Sequence, residues 1–232
     1  MNIAILGAGK VGAAIARVAL GAGHHVMIAG SGGPADIELL VSVVAPGAVV
    51  ASVADAVQGA DVVILSIPSP KFQTLDPGLL AGKVVVDAMN YWPETDGVVP
   101  ELLHEGGSSR VVATHLAGSR VVKTLNHVGY HELEDYRAAA DTPGRRALAV
   151  VSDDADAAAT VATLIESIGY EPVAATPLAA GLALQPGAAL FGGPFGKDEV
   201  IQELVAVSAT IIPADAAGAQ SARGVDSVVI AA

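Results

Sequence analysis

The chain has no cysteine in its 232 residues. Disulfides, thiolate nucleophiles and cysteine-built zinc sites are thereby excluded. Basic residues are scarce, with 12 Lys and Arg against 24 Asp and Glu, giving a formal net charge of −12. Such a field disfavours non-specific nucleic-acid binding and anionic membrane surfaces, so neither is expected as a partner. Any anionic ligand must be held by local groups. No apolar run reaches the roughly 18 residues that a bilayer-spanning helix needs. The opening Met1-Asn2-Ile3-Ala4-Ile5-Leu6-Gly7 is short and lacks the basic flank of a signal peptide. The expectation is an intracellular, cytoplasmic protein. Aromatics make up only 3% of the chain and charged residues 16%, while 52% is hydrophobic. With a mean hydropathy of +0.55, a sizeable core is expected and disorder is not. Small apolar side chains let helices lie close on a sheet, which suits a layered α/β fold.

The first half alternates short apolar runs with helical stretches. Strands are expected at Asn2–Leu6, His25–Ala29, Ala48–Ala51, Asp61–Ile67, Lys83–Ala88 and Arg120–Leu125. Their nearly continuous Val, Ile and Ala content fits strands buried on both faces of a parallel sheet. Helices are expected at Lys10–Ala22, Pro34–Val44, Val53–Gln58, Pro70–Leu75 and Ser109–Leu116. A second βαβ unit follows at Arg146–Val151, Asp153–Ile168 and Glu171–Ala175, with Ser152-Asp153-Asp154 as an acidic helix start. Gly129–Arg145 is polar and reads as a surface loop or short helix. After Thr176 a Gly/Pro-rich stretch is expected to cover the carboxyl ends of the strands, followed by a short helix near Lys197–Val207. The Ala-rich tail from about Ala209 has no clear pattern. The organisation expected is residues 1–176 as a nucleotide-binding domain and 177–232 as a C-terminal cover segment.

Gly7-Ala8-Gly9-Lys10-Val11-Gly12 is a G-x-G-x-x-G placed directly after an apolar strand and at the opening of an amphipathic helix. In that context it reads as a dinucleotide-binding fingerprint. Gly7 permits the tight turn, Gly9 lets backbone approach a diphosphate, and Gly12 lets helix and strand pack closely. The free amides and dipole at the helix start then attract an anion that the whole chain repels. The fold expected is a Rossmann-type, doubly wound α/β domain with a parallel sheet and a short C-terminal extension. NAD-specific sites place a carboxylate at the end of the second strand. Here that region reads Ile28-Ala29-Gly30-Ser31-Gly32-Gly33, and Asp36 comes later, in the next helix. Ser31 and neighbouring amides could take a 2′-phosphate, though no Arg is present to clamp it. The residues favour NADP, with NAD as the alternative.

Other catalytic signatures are missing. No Tyr is followed by Lys four residues on, and there is no G-x-S-x-G or H-E-x-x-H. His127 and His131 have metal-ligand spacing only if helical, and Gly129 between them weakens that reading, so no metal is expected. In a doubly wound sheet the ligand lies outside the carboxyl ends of the strands. Those ends read Ser66-Ile67-Pro68-Ser69, Ala88-Met89-Asn90-Tyr91 and Leu125-Asn126-His127-Val128. Asn90 and Asn126 could bond a nicotinamide carboxamide, and His127 could give a hydrogen bond or a proton to an acceptor. Tyr91 and Trp92 either wall a planar ligand or cap the core. With few acid/base groups, hydride transfer between two stacked planar rings is the favoured chemistry, because the rings supply the electronics. Gly192, Gly193 and Gly196 would leave room for the second ring.

At these residues the chain resembles the NADPH-dependent coenzyme F420 reductase family (F420H2:NADP oxidoreductase) and its actinobacterial dinucleotide-binding relatives. The resemblance runs from Met1 to about Gly181. It is carried by Gly7–Gly12, Ala29-Gly30-Ser31, Leu65-Ser66-Ile67-Pro68, Asp87-Ala88-Met89-Asn90-Tyr91-Trp92 and Val121-Val122-Lys123-Thr124-Leu125-Asn126-His127. It implies NADP across the first loop, with coenzyme F420, a deazaflavin, stacked on the nicotinamide as co-substrate. Ser31 matches a serine that contacts the 2′-phosphate. The following family Arg is Gly32 here, and a later basic residue is Asp36. Asn126 stands where the family has a His near the deazaflavin, with His127 beside it.

Carried over, Gly7, Ala8, Gly9, Lys10, Val11 and Gly12 would hold the diphosphate, and Ser31 and Gly32 the adenosine ribose or its phosphate. Ser66, Ile67, Pro68 and Asn90 would border the nicotinamide, with Asn126 and His127 as catalytic residues on the acceptor side. The function expected is NADP-dependent hydride transfer to a deazaflavin or flavin-like acceptor, by a homodimer. The alternatives are a reductase of another small acceptor (an imine, a quinone or a ferric chelate) and a binding protein that senses NADPH without turning it over.

Overall fold

In a computed structural model, residues 1–211 are described. The rest of the expected cover segment, with its Ala-rich tail, lies outside the described residues. The elements run in chain order as β1 (Asn2–Leu6), α1 (Lys10–Gly21), β2 (His25–Ala29), α2 (Pro34–Val44), β3 (Val49–Val50), α3 (Val53–Gln58) and β4 (Val62–Leu65). Then come α4 (Pro77–Leu80), β5 (Val84–Asp87), α5 (Pro93–Asp96), α6 (Ser108–His115), β6 (Arg120–Lys123), α7 (Glu132–Asp135), β7 (Ala147–Ser152), α8 (Ala155–Ser167), β8 (Glu171–Ala175) and α9 (Lys197–Ile211). Three 3-10 turns, Ser69–Thr74, Pro100–Leu103 and Leu178–Leu184, join them.

One eight-stranded sheet has the order β3-β2-β1-β4-β5-β6-β7-β8. Its first six strands are parallel and form the doubly wound 3-2-1-4-5-6 arrangement. The doubly wound parallel sheet expected from sequence is present in these six strands, and at its far side β7 lies antiparallel to β6 while β8 runs parallel to β7. Strand composition could not reveal this. β7 is buried along its whole length, and a strand buried on both faces reads the same in either direction.

The core lies on both faces of the sheet. Ile5, Ile28, Ile64 and Val86 pack with α1 and α8 on one face, and Leu6, Val63, Leu65 and Val85 pack with α3 and α6 on the other. Each such side chain, fully buried, contributes roughly 1.5–3 kcal/mol. Beneath the cover segment, Ala149, Val151 and Val173 pack on Leu184, Leu190, Val200 and Leu204.

Several boundaries move for local reasons. β5 stops at Asp87, whose Oδ1 accepts the Met89 amide at 3.0 Å and turns the chain out of the ladder. β6 stops at Lys123, and Leu125 takes a φ of 64°, a left-handed conformation that no strand continues. The expected helix at Pro70–Leu75 is a 3-10 turn. Asp154 caps α8 by accepting the Ala157 amide at 2.8 Å, so the helix starts at Ala155, two residues inside the expected start. α9 runs four residues beyond the expected Val207.

Candidate active site

The Gly7–Gly12 bend is built by collision avoidance. Gly7 has a φ of +126°, and a Cβ there would run into the carbonyl of Ser66. A Cβ on Gly12 would strike the carbonyl oxygen of Gly7 and lie 2.6 Å from Ser66 Oγ. Gly9 differs, since its Cβ would meet nothing within 4 Å. Two glycines are thus required by packing, while the third faces open space. Ser66 Oγ donates to the carbonyls of Gly7 at 3.1 Å and Leu6 at 3.3 Å, bracing the turn from behind. Gly9 is the N-cap of α1, and no side chain caps that end. The first amides of a twelve-residue helix therefore face outward without a partner of their own.

A cavity opens on either side of the bend. The larger, about 650 Å³, is lined by Gly7, Gly30, Ser31, Ile67 and Lys71, with α3 and α4 residues behind. The smaller, about 300 Å³, is lined by Val11, Asn90, Trp92, Asn126, His127 and Phe191 among others. The larger sits where the strand order reverses between β1 and β4, the usual ligand crevice of this architecture, and the smaller lies beyond the carboxyl ends of β5 and β6.

The structure thus divides the expected nicotinamide border. Asn90 lines the smaller cavity, Ile67 lines the larger one on the Ser31 side, and Ser66 stands behind the turn. Pro68 lines neither cavity. Asn90 and Asn126 clasp each other. Asn90 Nδ2 donates to the Asn126 carbonyl at 2.8 Å, and Asn126 Nδ2 donates to Asn90 Oδ1 at 2.9 Å and to the Leu184 carbonyl at 2.6 Å. His127 is buried, and its Nε2 accepts the Ala149 amide at 3.2 Å, which assigns its proton to Nδ1. Burial, followed by the nearby Lys123 charge, pushes its pKa down to about 3. The imidazole is neutral near pH 7, so it is no imidazolium acid. Among the described residues, Asn126 Oδ1 and His127 Nδ1 have no hydrogen-bond partner.

Tyr91 and Trp92 part company. The Tyr91 hydroxyl donates to the Gly97 carbonyl and accepts the Val99 amide, so this ring belongs to the core. Trp92 is half exposed and meets Phe191 edge-on at 5.5 Å, forming a wall of the smaller cavity. The Gly192 amide donates to the His127 carbonyl, which draws the cover segment over the cleft. Of the three glycines expected to leave room for a ring, only Gly192 lines the cavity. The space at Gly193 is filled by the Phe195 ring.

Sequence reasoning missed a buried ion pair beneath the site. Asp87 and Lys123 end adjacent strands in direct register. Lys123 is fully buried, with Nζ 3.4 Å from Asp87 Oδ2, and it donates to the Met89 carbonyl at 2.6 Å. Ser109 Oγ donates to the same carboxylate oxygen, Asp87 Oδ2, at 2.7 Å. Burial pulls the Lys123 pKa down against the opposing pull of Asp87. The available signal was a charged residue directly after consecutive valines in each strand, Asp87 after Val84–Val86 and Lys123 after Val121-Val122. Ser69, which donates to the Asn90 carbonyl at 2.7 Å, was also missed.

Among the described residues, no cluster of His, Asp or Glu could hold a metal, and no helix is long and apolar enough to cross a membrane. The hypothetical protein SMa0349 of Sinorhizobium meliloti is 31% identical, with 85% of this chain and 96% of that one covered at a TM-score of 0.72. The chain belongs to the same family as that protein. Residues 2–91 match the family model described as NADP oxidoreductase, coenzyme F420-dependent. A protein of Arthrobacter sp. FB24 with the provisional name F420-dependent NADP reductase is 26% identical, covering 75% of this chain and 84% of its own, with a TM-score of 0.60. The imine reductase of Streptomyces aurantiacus is 19% identical over 79% of this chain and 58% of its own, with a TM-score of 0.57, a likeness of fold alone. No curated protein matches the chain. The matched family model and the Arthrobacter protein both carry the name of an NADP-dependent oxidoreductase.

Proposed function

We propose that the chain transfers hydride between a nicotinamide dinucleotide and a deazaflavin such as coenzyme F420, or a flavin-like ring. The observation that carries this reading is the uncapped, open-faced start of α1 at Gly9, set between two cavities. The amides of Lys10, Val11 and Gly12 would hold the diphosphate, with Gly7, Ala8 and Gly9 shaping its approach. Ser31 and Gly32 would border the adenosine ribose, and Asn90 the nicotinamide. The bound dinucleotide would supply the hydride.

Asn126 and His127 are assigned to the acceptor side. Both side chains line the smaller cavity, and each keeps one buried polar atom, an acceptor and a donor, without a partner among the described residues, polar groups of the kind that fix a ligand's orientation. Trp92 and Phe191 would wall a flat ligand and exclude water. Among the described residues, the lining has no ionisable side chain besides Tyr130 and neutral His127, which suits a ring-to-ring transfer that asks little of protein acids and bases. Part of the same proposal is a homodimer working in the cytoplasm.

That scarcity of acid/base groups also favours a second reading, a protein that senses the reduced dinucleotide without turning it over. Incubation with NADPH or NADH and oxidised deazaflavin, followed by absorbance, tests both. Nucleotide oxidation matched by deazaflavin reduction is expected. Binding without oxidation with deazaflavin, flavin, quinone, imine or ferric chelate would leave the sensor. Absence of any nucleotide binding would overturn both readings.

A further inference from the structure

The loop that follows β2 carries a charge whose place the sequence alone did not disclose. Asp36 lies in the first turn of α2, and its side chain folds back so that Oδ2 accepts the Gly33 amide at 2.8 Å. The same oxygen packs against Gly32 so closely that a Cβ there would collide with it. A carboxylate therefore occupies the amide at the mouth of α2, beside Ser31 and Gly32.

This is the loop at the carboxyl end of the second strand, where a dinucleotide's adenosine ribose is read. A 2′-phosphate there would need backbone amides or cations. The Gly33 amide is already taken. Among the described residues lining the adjoining 650 Å³ cavity, the single cation is Lys71, which extends from the turn after β4, and Asp76 shares that lining. No Arg lines it. A phosphate dianion would sit next to an ionised carboxylate, while a plain ribose offers hydroxyls that a carboxylate accepts.

We infer that Asp36 sets cofactor choice: the site selects the dinucleotide with an unmodified ribose, NAD(H), over its 2′-phosphorylated form. This rests on the dinucleotide reading above. It reverses the preference drawn from the sequence and departs from the NADP named in the family model's description.

The test is titration of the purified protein with NADH and with NADPH, followed by nicotinamide fluorescence. Wild type should bind NADH at least tenfold tighter. Asp36→Asn keeps an oxygen for the Gly33 amide and removes the charge. It should shrink the ratio of the two dissociation constants at least fivefold. Asp36→Ser, a second uncharged acceptor, should do the same if the first variant folds poorly by circular dichroism. Tighter binding of NADPH by wild type, or a ratio unmoved in a folded variant, would overturn this inference and leave the dinucleotide reading standing. If neither nucleotide binds, both fall together.

Discussion

Replacing Gly9 with Asp should raise stability and abolish nucleotide binding in one substitution. Gly9 has a φ of −79° and open space at its Cβ position, so a side chain enters without strain. It is also an N-cap lacking a capping side chain. Asp is among the best residues there, better than Gly by a few tenths of a kcal/mol, and its charge adds about 0.3–1 kcal/mol with the helix dipole. The cost falls on the ligand. The carboxylate takes the very amides that a diphosphate would use. At about 4 Å and an effective dielectric of about 20, two unit charges repel by about 4 kcal/mol, roughly a thousandfold in Kd. Calorimetric titration beside a thermal melt reads both effects. The reasoning fails if affinity is unchanged while the melting temperature holds, because the nucleotide would then lie elsewhere.

Gly12→Ala is the opposite case. Its Cβ meets the backbone of Gly7, so no rotamer relieves it, and destabilisation of about 3 kcal/mol is expected in urea. His127 should leave a mark on acid stability. Its folded pKa is pushed down to about 3 against about 6.5 in the unfolded chain. Between those values the unfolded chain binds more protons, so stability falls as pH falls, by about 2 kcal/mol from pH 6.5 to pH 5. His127→Asn should lose that part of the slope, as read from unfolding curves at the two pH values. Lys123→Met leaves the Asp87 carboxylate buried without its counter-charge and should cost about 3–5 kcal/mol. Pairing it with Asp87→Asn should recover much of that loss.

The sequence shows most plainly what short-range chemistry decides. Pro34–Val44 and Val53–Gln58 are helices at the bounds their composition implies, because Pro34 and Ser52 mark their starts. The glycine bend follows from spacing alone, since its constraints lie within six residues and one neighbouring strand. Long-range partners are another matter. Asp87 and Lys123 are 36 positions apart, and only the pairing of β5 with β6 joins them. The clasp of Asn90 with Asn126 follows from the same strand pairing, and the seating of Phe191 against Trp92 depends on how the cover segment returns over the sheet. Asp36 was visible as a residue, but the direction of its side chain depends on the tight approach of Gly32 and Gly33.

The reversal between β6 and β7 has a practical corollary. Since β7 and β8 run against the rest, their carboxyl ends and the Asp154-capped start of α8 lie at the rim remote from the glycine bend. The second βαβ unit cannot offer its helix mouth to the same nucleotide, and its acidic cap would rebuff an anion in any case. Labels or insertions placed at that rim, around Asp153 or Thr176, should report on the molecule without obstructing the entrance.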